Sequence, residues 1–171
     1  MNYDEIFNEN VSKLDNPEID TVLIVFPYNQ KDLFVPDNED WFKILQNQKM
    51  ENTCLIVSPN SLVKAKPLIS DDRLIITSHE MILHYWEEIK DYIIANSNIK
   101  TIRVVTSDID IERVKRDFNI IFFSDFFRKF KMIDYSIVKI RSSFWKTIYK
   151  VREKLVLMLP IGLYKSLGKY R

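Results

Sequence analysis

Apolar residues along this chain follow two patterns. Short, almost unbroken runs rich in Val and Ile predict strands: Asp20–Phe26 a central parallel one, Thr53–Val57 a second, and Thr101–Thr106 a buried one. A shorter run, Arg73–Thr77, predicts another strand. Between them apolar residues recur every three or four positions. Tyr3, Ile6, Phe7, Val11 and Leu14 predict a helix over 3–14, and Trp41, Phe42, Ile44 and Leu45 one that Asp37 or Asp40 would cap. Ile82, Tyr85, Trp86, Ile89, Tyr92 and Ile93 predict a helix over 79–95, and a further helix is expected over 109–117. The apolar run Asn119–Ser124 reads as a fifth strand. From Ser136 to Leu157, Ile137, Ile140, Phe144, Trp145, Ile148 and Leu155 fall near helical spacing and predict one long helix, beyond which Pro160 and Gly162 interrupt the pattern. Residues 62–72 fit no single element, because Pro67 opposes a continuous helix.

Strands alternating with helices through short connections imply a parallel sheet covered on both faces. The expected fold is a three-layer, Rossmann-like α/β domain with a mainly parallel sheet of about five strands, spanning residues 1–127. Residues 128–171 are expected to form a basic, aromatic, amphipathic helical segment packed on the same domain. Strand order is not readable from the pattern.

Composition narrows the chemistry. With 171 residues, 46% hydrophobic and 13% aromatic, the chain can build a core without staples. Its two glycines, Gly162 and Gly168, lie outside the expected sheet, so neither an NAD-type fingerprint nor a P-loop is present. Cys54 is alone, which excludes an intrachain disulfide and a cysteine metal cluster and leaves a buried thiol. The N-terminal residues are acidic without a signal-peptide pattern, and no apolar run approaches the roughly 18 residues of a membrane span. A cytoplasmic protein is the expectation.

The stretch Thr101–Arg113 passes from strand through a polar turn into a helix, and in open α/β sheets ligands bind outside the carboxyl ends of the strands. Ser107, Asp108, Asp110 and Arg113 would sit there. Tyr28, Asn29, Ser58, Asn60 and His79, each following another strand, would complete the crevice. Arg113 could clamp an anionic ligand, Asp108 or Asp110 could act as base or hold a divalent cation, and Ser107 could donate a hydrogen bond. A helix N-terminus would favour neutral imidazole at His79, suited to a base. The plainer reading is that Asp108, Asp110 and Glu112 complement a helix dipole and that Arg113 pairs with Asp110 at i, i+3. His79 and His84 are five residues apart, about 140° around a helix, so they do not form the zinc-protease pair, and His84 is expected to be structural.

Charge divides the chain. From Arg128 onward there are 12 Lys and Arg against Asp134 and Glu153, a net of +10; residues 1–127 carry 13 basic and 22 acidic residues, a net of −9. The apolar stretch Leu155–Tyr164, flanked by Lys150, Arg152, Lys154, Lys165 and Lys169, suits an anionic membrane surface. A core helix with a solvated basic face, or packing on the acidic body of the chain or of another copy, is the alternative. Nucleic acid is disfavoured by that acidic body and by the lack of a recognition module.

Thr106, Ser107, Ile109, Asp110 and Arg113 resemble the Thr-Ser-x-Phe-His-x-x-Arg motif of the bacterial YdcF-like and SanA-like domains, with Ile109 at the Phe position and Asp110 at the His position. Asp20–Val25 is similar to that family's opening strand, and Arg152-Glu153 to its late Arg-Glu pair. The family's glycines after the first two strands are replaced by Pro27-Tyr28 and Ser58-Pro59. The resemblance implies a Rossmann-like domain active in cell-envelope or surface-polysaccharide metabolism, binding an anionic nucleotide- or glycan-linked ligand at the inner membrane face, as a transferase or hydrolase if an enzyme. The rival expectation is a non-catalytic scaffold docking to membrane or a partner through its basic C-terminal segment.

Overall fold

A computed structural model describes residues 3–26, 44–58, 65–77, 82–122, 132–138 and 144–167. The elements in chain order are α1 (Tyr3–Leu14), β1 (Thr21–Val25), β2 (Thr53–Val57), a 3₁₀ turn at Asp71–Arg73, β3 (Leu74–Ile76), α2 (Ile82–Ala95), β4 (Thr101–Ser107), α3 (Ile111–Phe122), β5 (Met132–Val138), α4 (Phe144–Met158) and α5 (Ile161–Leu167). The five strands form one sheet in the order β3-β2-β1-β4-β5, every pairing parallel, with helices on both sides. The expected three-layer Rossmann-like architecture is the one observed.

Central strands carry apolar residues on both faces because both are covered. Val22 and Ile24 point into a core with Ile56, Ile75, Trp86, Phe118 and Phe122; Leu23 and Val25 point into a second core with Leu45, Leu55, Val57, Val105 and Ile109. The first core is aromatic. Trp86 lies 4.8 Å from Phe26, 4.9 Å from Phe118 and 5.8 Å from Phe122, mostly edge to face. Tyr85 Oη lies 3.1 Å from the carbonyl oxygens of both Val25 and Ile56, so one buried hydroxyl fastens α2 to the carboxyl ends of two adjacent strands.

Two element assignments are corrected. Of the run at 119–124, expected as a strand, residues 119–122 are the last turn of α3, and 123–124 lie outside the described residues. Val114, Phe118, Ile121 and Phe122 share one helical stripe against Trp86, so these neighbouring apolar residues answer to a 3.6-residue period. The fifth strand is Met132–Val138, where a long helix from Ser136 was expected. Asp134 and Ser136 alternate there with Ile133, Tyr135 and Ile137, the period of an edge strand, and the pairing runs from Thr101 opposite Met132 to Ser107 opposite Val138. The helix begins only at Phe144. The segment after residue 128 therefore supplies a sheet strand as well as helices. The helix expected around Trp41 and Phe42, with its caps Asp37 and Asp40, lies mostly outside the described residues.

Candidate functional site

The chain runs outward from β1 to β2 and β3, then crosses back to β4 on the other side of β1. The switch point lies between β1 and β4, and the crevice outside their carboxyl ends is where ligands of such sheets bind. Ser107 ends β4 there, and Asp108, Ile109 and Asp110 make the turn into α3. Ser58, buried, follows β2 on the same side. Tyr28, Asn29, Asn60 and His79 lie outside the described residues, as does Lys169, and of His84 and Lys165 only the backbone is described.

The sequence constellation Ser107, Asp110 and Arg113 is brought together, but its groups engage one another. Ser107 Oγ accepts from the backbone N–H of Asp110 at 3.0 Å and of Ile109 at 3.3 Å, the geometry of an N-cap, and donates to Asp110 Oδ2 at 2.7 Å. Arg113 Nη2 donates to Asp110 Oδ1 at 3.3 Å. On its other side Arg113 Nε lies 3.1 Å from Glu153 Oε2 of α4, out of line for a hydrogen bond, so that contact is an ion pair held by charge. The side chains of Asp110 and Glu153 are each 8% exposed and that of Arg113 18%. Asp108 is half-buried at the lip of the crevice.

One turn further along α3 the same interface continues. Asp117, fully buried, accepts from Tyr164 Oη of α5 at 2.7 Å and from Arg116 Nε at 3.0 Å. Arg116 also donates through Nη1 to the carbonyl of Val156 at 2.9 Å, in the last turn of α4, where that carbonyl also accepts from the Leu159 N–H at 3.2 Å, and its guanidinium lies 4.3 Å from the centre of the Tyr164 ring. Burial pushes the Glu153 and Asp117 carboxyls up, against the pull of Arg113 on the first and of Tyr164 and Arg116 on the second. The Tyr164 hydroxyl is raised by burial and by Asp117. Glu153, Asp117, Arg116 and Tyr164 were not among the sequence candidates. Glu153 carries a signal in retrospect, as the one acid in an otherwise basic helix, and Asp110, Arg113 and Asp117 follow i, i+3, i+7 on one face.

The outer face of α4 is different. Ile148, Val151, Leu155 and Met158 are all exposed, Leu155 at 61% and Met158 at 78%, and Ile161 and Leu163 of α5 are exposed too. At about 100° per residue the four α4 side chains fall within an arc of about 80°, with Lys150 and Lys154 on one side and Arg152 on the other, all exposed. Glu153 faces the other way, into the protein, so no exposed acid lies on α4 between Thr147 and Met158 apart from residues whose side chains are undescribed, none of them acidic. Among the described residues no helix is long and apolar enough to cross a membrane, and no three His, Cys, Asp or Glu side chains are placed to hold one metal ion.

A scan against protein-family models, a search of curated proteins and a search of solved structures each returned no match.

Proposed function

We propose that this protein is a Rossmann-like scaffold that docks on an anionic membrane surface through the outer faces of α4 and α5. The observation that carries this reading is the exposed stripe Ile148, Val151, Leu155, Met158, continued by Ile161 and Leu163 and flanked by Lys150, Arg152 and Lys154. Exposed apolar side chains grouped on one face mark an interaction surface, whereas scattered ones do not. Charge selects the occupant. Pairing the stripe with a second copy of itself would bring cationic flanks together, while an anionic bilayer offers apolar depth beneath a negative surface. Each of the three cations contributes about 1 kcal/mol near such a surface, and full burial of a large aliphatic side chain adds about 1.5–3 kcal/mol. The inner face of a bacterial cell membrane fits this chemistry. The test is vesicle flotation with phosphatidylcholine alone and with phosphatidylglycerol mixed in. Wild type is expected to float with the anionic vesicles in a salt-sensitive way, and Leu155→Glu with Met158→Glu to abolish it while the melting temperature holds. Equal behaviour toward the two vesicle types would refute the reading.

A second reading rests on the switch point between β1 and β4, with Ser107 and Asp108 at its lip: an anionic nucleotide- or glycan-linked ligand bound in the crevice, as the resemblance to YdcF-like domains implies, in a transferase or hydrolase of envelope metabolism. It has less support, because Ser107 and Arg113 already hydrogen-bond to Asp110 and Arg113 is ion-paired with Glu153. A thermal-shift screen with nucleotides, nucleotide-sugars and divalent cations tests it. A ligand at 100 times its Kd adds about 2.7 kcal/mol of stability, and Asp108→Ala should remove that shift.

A further inference from the structure

We propose that the buried charge cluster between α3 and the α4–α5 pair is a proton-operated latch that sets how firmly the docking helices are held to the body. Three carboxylates, Asp110, Asp117 and Glu153, meet two guanidiniums, Arg113 and Arg116, in one interface. Fully ionised, the cluster holds one negative charge in excess, with little water to solvate it; a single proton removes the excess.

Among the described residues, the charged and titratable groups that face Glu153 and Asp117 come from α3, α4 and α5. Glu153 of α4 faces Arg113, Asp110 and Asp117 from the α3 side and has Arg152 beside it on its own helix. Asp117 of α3 faces Tyr164 from α5 and Arg116 and Arg113 on its own helix. The links that join α4 and α5 to α3 run through these groups: Arg113 to Glu153, Arg116 to the Val156 carbonyl and to the Tyr164 ring, Tyr164 to Asp117. Among the described residues, Tyr164 and the partly buried Val156 and Leu159 add apolar contact with the core. The polar links pass through groups that can take up protons, so the strength of the attachment depends on protonation.

Burial raises both Glu153 and Asp117 in the closed latch, so closing takes up protons. The latch is then firmest below the ordinary carboxylate range and loosens as pH rises through the raised values, after which it changes no further. An anionic surface concentrates protons beside it, so docking and latch closure favour each other. That consequence rests on the membrane reading; the latch does not, and it is measured without lipid.

The experiment is backbone hydrogen exchange of the full chain from pH 4.5 to 7.5, corrected for intrinsic rates, together with carbon-detected titration of the carboxyls. The opening constant of α4 and α5 is expected to rise with pH by up to about tenfold per unit for one linked proton, relative to the sheet amides, and Glu153→Gln to flatten that rise. Glu153 and Asp117 are expected to titrate above the exposed carboxylates. Protection of α4–α5 that is independent of pH or greater at high pH, or ordinary midpoints at both residues, would overturn the latch. Because the titration is read on wild type, the result stands even if the variant fails to fold. Vesicle flotation then separates the two ideas: a pH-dependent opening without vesicle binding keeps the latch and removes the membrane reading.

Discussion

Replacing Arg113 by Met keeps most of the stem and removes the charge that Asp110 and Glu153 share. Removing one partner of a buried ion pair costs about 3–5 kcal/mol, because the other charge is left without compensation. Here the cost has a ceiling, since a stranded carboxylate can take a proton instead. For Glu153, with an ordinary value near 4.3, protonation at pH 7 costs at most about 3.7 kcal/mol, and at pH 5 about 1 kcal/mol. Asp110 keeps the hydroxyl of Ser107, which softens its loss. The expectation is a destabilisation of about 3 kcal/mol at pH 7, a fall in Tm of roughly 6–12 °C for a chain of this size, shrinking to about 1 kcal/mol at pH 5. The sign follows from linkage: the variant raises the folded-state value of Glu153 further, so its penalty appears as pH rises and disappears on acidification. Urea unfolding followed by circular dichroism at the two pH values measures it. Adding Glu153→Gln should recover part of the loss at pH 7. A destabilisation below about 1 kcal/mol at pH 7, or one equal at both pH values, would show that Arg113 does not neutralise buried charge and would refute the reasoning.

Two further outcomes are expected. Tyr164→Phe removes the hydroxyl that donates to the fully buried Asp117 and leaves Arg116 as that carboxylate's remaining hydrogen-bond donor among the described residues; the cost is about 1–3 kcal/mol at pH 7, smaller at pH 5, in the same urea assay. Phe118→Ala opens a void between Trp86 and Phe122 and should cost about 3–5 kcal/mol with little dependence on pH, which distinguishes core packing from the charge cluster.

The chain's local pattern determined the fold class. Val- and Ile-rich runs at 20–26, 53–57 and 101–106 predict strands, the first a central parallel one because a strand buried on both faces needs no polar alternation, and all three are interior in the sheet. The strand-to-polar-turn-to-helix passage at 101–113 was equally legible, as was the i, i+3 pairing of Arg113 with Asp110, but the backbone donors of the turn are met by the Ser107 hydroxyl where the carboxylates were expected. The stretches 119–122 and 132–138 were not legible. Ile120-Ile-Phe122 is as apolar as a strand and becomes helix because Phe118 and Phe122 commit that face to Trp86, and Ile137, spaced from Ile140 and Phe144 like a helix, is drawn into β5 by pairing with β4. Strand order, and with it the switch point, is decided by long-range pairing that no local pattern encodes. The same holds for the charges. The basic, apolar character of 144–163 is written in the sequence, but which of its faces is covered depends on where α3 lies. Docking α4 through Glu153 leaves Leu155 and Met158 in solvent and turns Arg113 from a free clamp into the centre of a buried cluster.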